Sequence, residues 1–137
     1  MKRCETSVLV DVDRGGSTVR SRVQRLDEEG RGAISAVTAT DLRIGVNRRY
    51  DPGSRDEHHR SLDRLLDRFA IVPVSRPIAT AAADLSVNQE RSGTPLHDLH
   101  ELYVAATVRV EALTLLTANT GHFGRFDGLE VLDWTAY

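Results

Sequence analysis

The stretch "CETSVLVDVDRGG", residues 4–16, admits two readings, and the choice between them decides the fold. If "VLVDVD" is a strand, it ends in the pair Asp11 and Asp13, as in phosphotransferases with an aspartate nucleophile. If the strand stops at Glu5, "TSVLVDV" is already a helix, and Glu5 is the acid that matters. The first reading needs a long strand before the pair, then a Ser or Thr, a Lys and a late acidic pair downstream. None follows "DVDRGGSTV" in recognisable form. The second reading puts Asp11 and Asp13 on a polar helix face and its end, with Gly15-Gly16 as the breaker.

Working outward, short apolar segments alternate with helical ones. Val19, Val23 and Leu26 fall on one face of a helix over 17–29, which Gly30 stops. "GAISAVT", 32–38, reads as a short buried strand, followed by a helix in "TATDLRIGVNRR". Residues 54–69 form the clearest helix, with Leu62, Leu65, Leu66 and Phe69 on one side. "AIVPV", 70–74, is a strand, and Pro77 opens a helix closed by Gly93. "PLHDLHELYVAATVRVEA" is a further helix, "LTLLTA" (113–118) a buried strand, and "LEVLDW" (129–134) a last short strand. This alternation argues for an α/β fold of three layers, α/β/α, with a short, mostly parallel sheet flanked by helices.

The 137 residues fit one domain. Hydrophobic residues at 40% and charged residues at 28% describe a globular chain. With Cys4 as the one cysteine, neither an intramolecular disulfide nor a multi-cysteine zinc site is available, and a cytoplasmic location is the default. "MKRCETS" lacks the apolar run of a signal peptide, and no stretch approaches a membrane span. A formal net charge of −2 excludes a general polycation, so nucleic acid would need a local basic patch and masked carboxylates.

In open parallel sheets, ligands gather at the carboxyl ends of the strands. Four polar residues fall there. Glu5 ends the first apolar stretch, Asp41 lies in the first turns of the helix after "AISA", Glu101 near the start of the "LYVAAT" helix, and Asn119 directly after "TLLTA". Converging carboxylates repel, so such a set calls for a cation. Oxygen ligands without a His or Cys cluster suit Mg²⁺ or Mn²⁺. Such a centre deprotonates water and neutralises phosphate, which is the chemistry of phosphodiester hydrolysis. Taken singly, Asp41 and Glu101 are also ordinary acids near helix N-termini.

"ETSVLVDVDRGG", "AISAVTATDLRIGV", "HELYVAATVRV" and "TLLTANTGHFGRFDGLEVLDW" together resemble the PIN-domain ribonucleases, specifically the VapC-type toxins of bacterial toxin–antitoxin pairs. The segments run in family order from near residue 4 to near 134. The resemblance implies that Glu5, Asp41 and Glu101 bind one or two Mg²⁺ or Mn²⁺ ions, that Asn119 takes the place of a fourth acid, and that the substrate is RNA. It implies supporting hydrogen bonds from Thr6, Ser7 and Thr117. Read by themselves, Asp98 is an auxiliary acid or a helix-start residue, and Arg14, Arg43 and His100 are candidate RNA contacts, with a solvated surface role as the other reading of Arg14 and His100. The resemblance also implies a VapB-type antitoxin that presents an Arg to the acids, a homodimer, and no membrane. Helices around Leu62–Phe69 would double as antitoxin surface.

Two departures stand out. "MKRC" is more basic than the usual family opening. The acids are exchanged in length: the family usually carries Asp, Glu, Asp, and this chain Glu5, Asp41, Glu101. One methylene moves a carboxylate by roughly 1.5 Å, large beside a Mg²⁺–oxygen bond of about 2.0–2.1 Å. Reciprocal exchange leaves two readings open, a recentred catalytic site or a PIN-like protein that binds RNA or antitoxin without cleaving.

Overall fold

The computed structural model of the protein describes residues 2–4, 6–95 and 98–137, without the side chains of residues 2–4, 6, 11, 13 and 14. Glu5 and His97 lie outside the described residues, as do the side chains of Cys4, Thr6, Asp11, Asp13 and Arg14.

The opening stretch is helical. β1 (Lys2–Cys4) is followed by α1 (Thr6–Arg14). Val8 is buried and Val12 packs on the same core one turn later, a spacing that a strand also turns to one face but that only a helix joins to the adjacent, equally buried Leu9. Gly15 and Gly16 end the helix at φ +75° and +119°, backbone that residues with a Cβ rarely adopt.

The remaining elements are α2 (Ser17–Glu28), β2 (Ala33–Ser35), α3 (Ala36–Arg49), α4 (Pro52–Leu66), β3 (Ala70–Val72), α5 (Arg76–Arg91), α6 (Leu99–Val110), β4 (Thr114–Thr117), α7 (Thr120–Phe123) and β5 (Val131–Asp133), then a 3₁₀ turn (Trp134–Ala136). All the described strand pairs are parallel, and the order is β3-β2-β1-β4-β5. The order reverses at β1, between β2 and β4, and a crevice opens at such a switch point.

Strand alternation sorts the core into two layers of packing. Leu115 faces a cluster with Ile78, Ala82 and Leu85 of α5 and Val104, Ala105 and Val108 of α6. Leu116 faces the opposite cluster, with Val8 and Leu9 of α1, Leu26 of α2 and Trp134. Trp134 is fully buried and stacks on Tyr137 at 5.9 Å, closing the end of β5. Each fully buried large aliphatic or Phe contributes roughly 1.5–3 kcal/mol.

Several element ends differ from the sequence reading, and side-chain caps explain two of them. The strand expected over 32–38 stops at Ser35, whose Oγ accepts the Val37 amide at 3.1 Å and starts α3 early. The helix expected from Pro95 starts at Leu99, because Asp98 caps it. The helix expected to reach Phe69 ends at Leu66, and Phe69 is buried beyond it. No described helix is long and apolar enough to cross a membrane.

Candidate active site

The crevice at the carboxyl ends of β2, β1 and β4 is floored by small polar side chains. Thr117, fully buried at the end of β4, accepts the Asn119 amide at 2.9 Å. Ser7, in the first turn of α1, accepts the Ala118 amide at 3.1 Å. These two bonds turn the chain sharply after β4 and present Asn119 at the start of α7. Asn119 sits at the N-cap of α7 but makes no side-chain cap. Among the described residues its amide side chain has no partner.

Across the crevice, α3 supplies Thr38 and Asp41. Thr38 is fully buried, and its Oγ1 lies 3.0 Å from Nε2 of His100, at the start of α6. Asp41 follows Thr38 by three residues and so lies on the same helical face. Its side chain is exposed and, among the described residues, makes no hydrogen bond or ion pair.

Glu101 follows His100 and is held from two sides. Its side chain is only 13% exposed. Nδ1 of His122 donates to Oε1 at 2.6 Å, and Nη2 of Arg125 donates to Oε2 at 2.7 Å. The carboxylate thus already works as a cation-binding group. Asp98 acts on the backbone beneath it: Oδ1 accepts the amides of His100 at 2.9 Å and Glu101 at 3.4 Å.

The residues named from sequence therefore divide. Asp41, Glu101, Asn119, Ser7, Thr117, Asp98 and His100 gather around the crevice. Arg43 does not: its guanidinium is spent on α4, 3.3 Å from Nδ1 of His59 and 3.8 Å from Asp63. Among the described residues no three acidic, His or Cys side chains gather as a metal cage, so Glu5 would have to complete one. The donor set, unpartnered carboxylate and amide oxygens together with a carboxylate that already holds the Arg125 guanidinium, fits a hard divalent ion.

Sequence reasoning did not single out Arg125 or Thr38. His122 was read only as part of a motif. All three lie where periodicity is silent, in a glycine-rich turn or at a helix start.

From Asp41 a groove of about 630 Å³ runs between α1, α3 and α4. Leu9, Val10, Ile44, Leu62 and Leu65 line it, and Arg48 and Arg49 also contribute to its walls. His58 lies in this groove, stacked on Tyr50 at 3.4 Å.

Known proteins share this chain's sequence pattern and architecture. The family profile described as PIN domain matches residues 4–129. Ribonuclease VapC10 of Mycobacterium tuberculosis is 32% identical over 126 residues, covering 92% of this chain and 88% of the relative. Ribonuclease VapC1 of Rickettsia felis is 29% identical over 132 residues, covering 93% and 92%. A solved structure of VapBC2 from Rickettsia felis bound to a promoter DNA fragment superposes with a TM-score of 0.86 at 22% identity, over 97% of this chain and 98% of that one; at that identity the likeness speaks for the fold.

Proposed function

This chain belongs to the PIN-domain family, and on that premise we propose that it is a VapC-type ribonuclease toxin, a single-domain endoribonuclease that hydrolyses RNA phosphodiester bonds with Mg²⁺ or Mn²⁺. The observation that carries the reading is Glu101, a mostly buried carboxylate with the His122 ring on one oxygen and the Arg125 guanidinium on the other, at the sheet edge where α3 brings Asp41 and the turn after β4 brings Asn119.

Glu5, Asp41 and Glu101 are the residues that would hold a divalent ion, which would supply activation of a water and charge screening at a phosphate. Thr117 and Ser7 keep the turn after β4 rigid, so the Asn119 amide is aimed without a large entropic cost. Asp98 fixes the first turn of α6 and with it the Glu101 backbone. His100, pinned to Thr38, is a candidate contact for substrate beside Glu101. Arg43 supports α4 instead.

The partner is a VapB-type antitoxin. The solved relatives include VapBC and FitAB toxin–antitoxin complexes. The apolar lining of the groove suits one face of an amphipathic segment, and the groove leads to Asp41, where an antitoxin Arg would meet a carboxylate. We place the protein in the cytoplasm as a homodimer, in keeping with that family.

The test is cleavage of total RNA by purified, antitoxin-free protein with Mg²⁺, with Mn²⁺ and with EDTA, alongside Glu101→Gln. Discrete metal-dependent fragments lost in the variant are expected. No cleavage by the folded protein in either metal returns the function to RNA or antitoxin binding alone. Activity lost in Asp11→Asn and kept in Glu101→Gln overturns the site.

A further inference from the structure

Both oxygens of Glu101 are taken within this chain. The Arg125 guanidinium that occupies Oε2 is itself fixed: it lies 5.7 Å from the ring centroid of Phe126, which is buried. The turn that carries it is anchored in turn, since Phe123 is buried and Phe126 donates its amide to the Phe123 carbonyl at 3.2 Å. Arg125 is therefore held over a carboxylate that is 13% exposed, where a charge interaction is screened less than at an open surface. A guanidinium and a divalent ion drawn to the same carboxylate repel each other at close range.

We infer that Arg125 is a resident cation of the acidic site: it orients Glu101 in the metal-free protein and sets a positive charge beside the place an ion would take, so Arg125 sets the affinity for divalent metal. The inference rests on the metal site proposed above. It makes Arg125 a positioning residue whose removal strengthens metal binding. A purely structural Arg125, one that only holds Glu101 in place for the ion, gives the opposite sign.

The experiment is calorimetric titration of Mn²⁺ into the full antitoxin-free chain at low ionic strength, with thermal unfolding as a check on folding. Arg125→Gln is expected to bind Mn²⁺ about fivefold or more tightly than wild type, because one like charge leaves the neighbourhood of the ion. Arg125→Lys, which keeps the charge, is expected to stay within about twofold of wild type. Unchanged or weaker Mn²⁺ binding by folded Arg125→Gln overturns the inference while wild-type binding that is lost in Glu101→Gln upholds the metal site. No Mn²⁺ binding by any form overturns both. A second readout needs no variant at this position: the Arg125 Nε–H resonance of wild type shifts as Mg²⁺ is added to saturation, and a resonance that stays put overturns the inference.

Discussion

Thr38 Oγ1 and His100 Nε2 lie 3.0 Å apart, a hydrogen bond that ties the first turn of α3 to the first turn of α6. Asp41 lies one turn along the first helix and Glu101 directly after the histidine on the second, so the bond couples the two helices that carry the acids. Thr38→Val keeps the shape and removes the bond. Stability is expected to fall by about 1 kcal/mol, read by denaturant unfolding. RNA cleavage is expected to fall about tenfold under conditions where the variant is fully folded, because the two acids lose their common reference.

Asp98 separates a cap from an auxiliary metal acid. Its Oδ1 receives two α6 amides, and Asn caps as well as Asp. Asp98→Ala is expected to lose about 1 kcal/mol of stability, with reduced cleavage. Asp98→Asn is expected to retain both. An Asn variant with normal unfolding and no cleavage would instead assign the carboxylate to the chemistry.

Asp133, at the end of β5, has its carboxyl held below the ordinary value of 3.8, first by the Thr135 side chain, then by the Thr135 amide, with Arg22 adding to the effect. Its Oδ1 accepts from Thr135 Oγ1 at 2.7 Å and from the Thr135 amide at 2.9 Å. A folded-state pKa below the unfolded one stabilises at pH values above the unfolded pKa, and that contribution is lost as pH falls through the folded value. Asp133→Ala is therefore expected to melt lower than wild type at neutral pH, with the gap narrowing as pH drops below 3.8. A gap that widens in acid would contradict this.

Ile44 is 40% exposed in the groove beside Asp41. On the proposed reading, Ile44→Glu puts a charge under the apolar face of the antitoxin segment. Antitoxin affinity is expected to weaken about tenfold or more, with RNA cleavage by the free protein unchanged. Titration calorimetry with the antitoxin and an RNA cleavage assay check the two halves separately.

The three layers and the helices were legible because their apolar spacing is regular: Leu62 with Leu65, and Val19 with Val23 and Leu26, announce buried faces by period alone. Element ends were not, because a single hydroxyl decides them. Ser35 reads as one more small residue in "AISAVT" until its bond to Val37 is seen. Asp41, Glu101 and Asn119 stood out in the sequence by their places after strands and at helix starts. The Glu101–Arg125 pair was not, since its partners are separated by a turn whose path depends on Thr117 and Ser7. α7 was missed for the same reason, being one turn of helix with no room for a period.

β1 sits in the middle of the sheet, yet its two neighbours come from distant parts of the chain: Arg3 aligns with Ala33 on one side and with Leu115 on the other. During synthesis β1 waits for β4 before its second ladder can close, and α6 and the turn bearing Asn119 come just before and after β4. Pairing across so long an interval is slow. The turn that bears Asn119 takes its place beside β1 only when this late closure occurs, so a nascent or truncated chain that ends before β4 is a half-sheet without the proposed site.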